Sequence, residues 1–188
     1  MQRLWLGRSE LLVQLGSTRV GAGCIRRFVE FTGLPGRGRV LEVLPSEASP
    51  LFHELDGFGQ VESCVVADGA TPPFDYEDQS FDLVCSLQVI PNDVELAEWV
   101  RVLRCGGTLA FLSAGPSLDP VAISSLPALS TLDDETREVL TLSLETLRAG
   151  YHTDLQVADR LLRAGLGAVR TMEYCGGSML MVKARRPA

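Results

Sequence analysis

Residues 65–113 read VVADGATPPFDYEDQSFDLVCSLQVIPNDVELAEWVRVLRCGGTLAFLS. Three apolar runs stand in this stretch: Val65–Ala67, which ends on Asp68; Phe81–Leu87; and Thr108–Leu112. A loop of glycine, proline and acids separates the first two. A segment with helical spacing, closed by Gly106-Gly107, separates the last two. Strand, loop, strand, helix, strand, with strands apolar on both faces, is the pattern of a parallel sheet covered by helices.

Upstream, Arg39–Leu44 reads as the first strand. Before it, Ile25, Phe28, Val29 and Thr32 have helical spacing, and Gly33-Leu34-Pro35-Gly36 stops that helix. After it, Ser49 suits an N-cap with Pro50 at the first helical position, and Leu51, Phe52, Leu55 and Phe58 line one face of a short helix. Glu10–Leu15 fits helix or strand. Gly21-Ala22-Gly23 is no dinucleotide fingerprint, because Arg26 occupies the third glycine position and no strand–helix–strand unit surrounds it.

Downstream, Phe81–Ser86 is a central strand. Asn92 or Asp93 caps a helix with Leu96, Ala97, Val100 and Leu103 inward. Gly106-Gly107 ends that helix, and Thr108–Ser113 is the next strand. Gly115–Pro127 reads as a loop on the carboxyl edge of the sheet, the usual ligand side. Asp133-Asp134-Glu135 opens a helix lined by Val139, Leu140, Leu144 and Leu147. Thr153 caps another, with Leu155, Ala158, Leu161 and Leu162 inward and an end near Gly165. Ala168–Tyr174 and Ser178–Ala184 flank Cys175-Gly176-Gly177 as a hairpin.

Two runs carry a resemblance. Asp68-Gly69-Ala70, Pro73-Phe74 and Asp78-Gln79-Ser80-Phe81-Asp82 form one; Arg101-Val102-Leu103-Arg104-Cys105-Gly106-Gly107 forms the other. Together they resemble the class I S-adenosylmethionine-dependent methyltransferases, with Cys105 where that family has proline. The resemblance covers residues from Ile25 onward. It implies an α/β Rossmann-like, mostly parallel sheet with helices on both faces and an antiparallel C-terminal hairpin, in one domain spanning 1–188. Residues 1–24 form an N-terminal extension or leading helix.

The same resemblance implies a cofactor, S-adenosylmethionine, and positions for it. Glu42 falls at the acid that ends the first strand and partners the cofactor's amino group. Leu44, Ser46 and Ala48 fall where the family has glycines that let backbone approach the ligand. Side chains are expected to project there, and Pro45 removes a donor. Asp68, with Gly69 beside it, falls at the acid that accepts from the adenine amino group, or at the one that holds the ribose hydroxyls. Cys85, Ser86 and Leu87 line the adenine or the methyl-transfer site.

Length departs from the family as well. Asp68 follows Glu42 by only about 26 positions, which suits one strand–helix–strand unit of roughly 30 residues. The family has two, so one strand–helix unit is missing, and the expected loss is the strand whose acid holds the ribose. The sheet edge so exposed would be a docking or dimer surface.

The composition bounds the rest. The 188 residues are 46% hydrophobic and 22% charged, ordinary for one globular domain, and the net charge of −7 argues against a nucleic-acid or anionic-membrane binder. Lys183-Ala184-Arg185-Arg186 is the local exception and reads as a solvated tail. The five cysteines form no C-x-x-C pair, which favours free thiols in the cytoplasm over disulfides or zinc. Arg3, Arg8 and Arg19 in the leading segment are compatible with an organelle transit peptide or with a helix of the domain. No stretch approaches a membrane span of ~20 apolar residues.

Glu42 also fits a buried acid paired with Arg39, and Asp68 fits a loop acid that caps local amides. Glu98 and Arg101 read as a solvated i, i+3 pair. His53 and His152 suit surface or capping roles, and the residues after the central strand, Gln88-Val89-Ile90-Pro91, offer no base. Methyl transfer depends chiefly on alignment, so no catalytic residue can be named. Two readings follow: a methyltransferase-like protein with a weakened or lost cofactor site, or an inactive protein of that fold acting as a binding or assembly subunit. The substrate or protein partner is unspecified, and no metal site is expected.

Overall fold

The strands form where apolar runs meet, and the sheet they build is six-stranded in the order β2-β1-β3-β4-β6-β5. The computed structural model describes residues 19–33, 38–44, 60–65, 74–87, 91–130, 132–149 and 153–188. β1 (Arg39–Leu44) lies at the centre of the parallel part, buried at every position after the first. It pairs in parallel with β2 (Gln60–Val65) on one side and β3 (Phe81–Ser86) on the other. β4 (Leu103–Ala114) extends the parallel set beyond β3. β6 (Met179–Arg185) runs antiparallel to β4, and β5 (Gly167–Tyr174) pairs antiparallel with β6 at the edge.

β2 corrects two expectations. It starts at Gln60, well before the apolar run at Val65–Ala67, because its register is set by pairing with the buried β1, from Arg39 opposite Gln60 to Leu44 opposite Val65. It is also the single strand among the described residues between β1 and β3, as the short interval requires. Yet it lies directly beside β1. The position expected to be empty is therefore filled. The helix expected at 51–58 and the segment Glu10–Leu15 lie outside the described residues.

One face of the sheet is covered by α1 (Arg19–Thr32), whose Phe28 is fully buried against Val40, Leu83 and Met181. Gly33 ends it at φ 68°, donating to the Glu30 carbonyl at 3.2 Å. The other face is covered by α2 (Asp93–Val102) and α5 (Asp154–Arg163), which pack on Leu109, Phe111 and Val182. Between β4 and α5 come the short α3 (Pro120–Ser124), a 3-10 turn at Pro127–Leu129, and α4 (Asp134–Ala149). Ala114, Leu118, Leu129, Leu140 and Leu144 form a third core under them.

Several expected details shift. The 115–127 loop contains α3, capped by the Asp119 carboxylate on Val121 and Ala122. Asn92 caps α2 in a reciprocal box with Glu95. The inward residues of α2 are Leu96, Trp99 and Val102, and Ala97 is exposed. In α5 they are Val157 and Leu161; Leu155 is 82% exposed and Leu162 58%. Leu96 and Leu161 face inward as expected and Val100 packs against the core, while packing on β4 sets the rotation that exposes Ala97, Leu155 and Leu162. α2 ends at Val102, before Gly106-Gly107. The chain enters β4 at once and takes up the extra residues as an irregularity, with Gly106 at φ 74°.

The supposed C-terminal tail is built into the fold. Lys183 and Arg185 belong to β6, and the Lys183 ammonium donates to the Phe31 carbonyl near the end of α1. Arg186 donates to the carbonyls of Val100, Arg101 and Leu103, closing the C-terminal turn of α2.

Candidate functional site

In an open parallel sheet, ligands bind beyond the carboxyl ends of the strands. The described residues of the two resembling runs lie at the opposite end, around the start of β3 and where α2 passes into β4. Arg101 is their hub. Its guanidinium donates to the Phe74 carbonyl at 2.9 Å and the Tyr76 carbonyl at 2.9 Å, and it pairs with Asp78 at 2.6 Å and Glu98 at 3.0 Å. The Phe74 amide in turn donates to Glu98 at 3.0 Å. Gln79 and Ser80 donate to the Arg101 and Val102 carbonyls at 3.0 and 2.8 Å. Asp82 accepts from the Arg39 amide at 2.7 Å and pairs with Arg104. The two runs are thus one brace. Glu98 and Arg101 are not a solvated pair: Glu98 side-chain exposure is 20%. The Arg101 hydrogen bond holds the Glu98 carboxyl below the usual carboxylate range, and the Phe74 amide adds to this.

At the carboxyl ends, four of the seven candidate positions are described. Glu42 is 0% exposed, Leu44 4% and Ser86 0%. Glu42 lies in register with Cys85. Arg39 is not its partner; it ion-pairs with Glu62 at 2.6 Å and lies over the Phe81 ring at 4.7 Å. Leu87 is half-buried and packs into the core under α1. Ser46, Asp68 and Gly69 lie outside the described residues, as do His53 and His152. Burial, with Glu42 adding to it, pushes the Cys85 thiol well up, so it is no thiolate nucleophile.

Arg160 was not found by sequence reasoning. From α5 it donates to the Pro91 carbonyl at 2.6 Å and pairs with Asp93 at 3.0 Å, fixing the chain that follows the central strand. A shallow cleft lined by Pro91, Leu96, Phe111, Val157, Arg160 and Leu161 lies beneath it. The five cysteines are all free thiols. Among the described residues, no group of side chains could hold a metal ion, and no helix is long and apolar enough to cross a membrane.

No protein-family model matches the sequence, and no curated protein sequence does. Solved structures do match the fold. Phosphoethanolamine N-methyltransferase 2 of Haemonchus contortus, in complex with phosphomonomethylethanolamine and S-adenosylhomocysteine, aligns over 96% of this chain and 57% of its own, at 11% identity and TM-score 0.62. A SAM-dependent methyltransferase of Aquifex aeolicus aligns over 86% of this chain and 88% of its own, at 15% identity and TM-score 0.54. A candidate methyltransferase of Bacillus halodurans aligns over 87% and 98%, at 15% identity and TM-score 0.51. The fold is that of the class I S-adenosylmethionine-dependent methyltransferases. This chain spans little more than half of the Haemonchus enzyme, so that enzyme's acceptor says nothing by itself of this one.

The methyltransferase fold sharpens the question of the cofactor. Its glycine-rich turn offers open backbone at the end of the first strand, whereas here the last residue of β1 is a leucine that is 4% exposed. No transfer step follows from the described residues at that end.

Proposed function

We propose that this chain is a methyltransferase-fold protein whose S-adenosylmethionine site is weakened or lost, and that it acts as a binding or assembly subunit. The covered end of β1 carries this reading: Leu44, at 4% exposure, stands where the resembled family has a glycine that lets backbone approach the ligand. The partner is a protein or an unidentified small molecule. The edge strand β2, which among the described residues pairs with β1 alone, supports docking by strand addition. The thiols and the acidic balance are consistent with the cytoplasm.

A second reading, an active methyltransferase, is favoured by one observation. β2 lies beside β1 and ends at Val65, three residues before Asp68 in sequence. An acid about 20 residues beyond the first turn is the spacing at which a ribose is held. Asp68 would then be the ribose acid instead of the adenine partner.

Thermal denaturation with S-adenosylhomocysteine separates the two. A ligand at ~100 times its dissociation constant adds about 2.7 kcal/mol of stability. No shift at millimolar ligand is expected for the binding subunit. A clear shift that Asp68→Ala abolishes would establish the cofactor site and sink the first reading.

A further inference from the structure

Three cations share one face of the β5–β6 hairpin. Arg170 lies directly opposite Lys183, and Arg185 is two residues further along β6, on the same side of the sheet. A β-bulge produces this alignment. β6 moves two residues from Arg185 to Lys183 while β5 moves three, from Gly167 to Arg170. Without the extra residue, Val169 would oppose Lys183 and Arg170 would turn toward the face that α5 covers. Val169 packs into the core on that face. Ala168, inside the bulge, takes φ 48°, a left-handed conformation strained for alanine.

The arrangement works against itself electrostatically. Like charges directly opposite on neighbouring strands oppose folding. Burial holds the Lys183 ammonium below its ordinary range, and Arg170 and Arg185 push it the same way. Among the described residues, no acid forms an ion pair with any of the three. Arg170 and Arg185 are exposed, and Lys183 reaches the Phe31 carbonyl and the Phe31 ring, 4.8 Å from its centroid. All this occurs in a chain of net charge −7.

We propose that Arg170, Lys183 and Arg185 form a binding site for the phosphate group of a small ligand. Adjacent strands are ~4.8 Å apart and alternate residues ~7 Å apart, so the three side chains rise from neighbouring positions on one face, within reach of a shared anion. Two guanidinium forks beside an ammonium suit such an anion. The acidic chain disfavours an extended polyanion, so nucleic acid is not the ligand. The site sits on the face that α1 partly covers and owes nothing to the candidate cofactor positions.

Calorimetric titration with inorganic pyrophosphate, in chloride at fixed ionic strength, tests the site. The intact chain should bind saturably. Arg170→Gln and Arg185→Gln should each weaken binding about tenfold, and the double variant should abolish it. No saturable binding at millimolar pyrophosphate, or equal binding by the double variant, overturns the proposal. Melting in chloride alone gives an independent reading. The double variant should melt at or above the unaltered chain, and a lower value overturns the claim that the three cations are held together against repulsion.

Discussion

Arg101 and Phe74, 27 positions apart, hold each other through both backbone groups of Phe74: its carbonyl accepts from Arg101 at 2.9 Å, and its amide donates to Glu98, the partner of Arg101, at 3.0 Å. This pairing explains why two separate runs of the sequence go together.

Arg101→Ala should therefore cost about 2–3 kcal/mol, since it leaves two backbone carbonyls without a donor and a half-buried carboxylate without its charge partner. Arg101→Lys should recover less than half, because an ammonium cannot reproduce the fork. Urea denaturation at unchanged m-value checks both.

Glu98 gives the brace a pH dependence. Its folded carboxyl lies below its usual 4.5. The stabilisation is thus complete above the unfolded value and is lost as pH falls through the folded one. Glu98→Gln should flatten the acid limb of the stability curve below about pH 4.5, with little change in its shape near neutrality. Melting temperatures taken across that range will show it.

Arg186→Ala removes a charged cap from three carbonyls at the end of α2. A loss of about 2 kcal/mol, or roughly 4–8 °C in melting temperature, is expected. A solvated arginine would give no measurable change.

Gly115→Ala should be among the most damaging single changes. A methyl group there would run into the Gly177 carbonyl, which is fixed by Ser117, while Gly115 itself donates to Ser178 at 2.9 Å. Backbone cannot yield as a side chain does, so a loss of more than about 3 kcal/mol is expected, with loss of near-ultraviolet circular dichroism. Gly165→Ala, which meets nothing within 4 Å but stands at φ 82°, should cost only about 1–2 kcal/mol.

The sequence disclosed those parts of the fold whose signal is local. β1, β3 and the β5–β6 hairpin are apolar runs bounded by turn residues, and they stand where they were expected. Asn92 and Thr153 cap helices as their chemistry predicts. What escaped was set by distant partners. β2 is a strand because β1 pairs with it, and Gln60-Val61-Glu62 announces nothing by itself. Trp99 and Val157 face inward because of Phe111 across the layer. Arg186 looks like a tail until the end of α2 is placed beside it. For the candidate site, Leu44 is a buried strand end at a position where the resemblance implies glycine. Arg101 and Asp78 occur in the two resembling runs, and that coincidence was the available hint that the runs touch.

β6 is synthesised after β5 yet lies inside the sheet, between β5 and β4. While the chain is emerging from a ribosome, β5 has nowhere to join, and the flank of β4 stands open to any passing extended peptide. The nascent protein should consequently depend on a holding chaperone until Met179–Arg185 clears the exit tunnel, and stalled products ending before that strand should be found in aggregates.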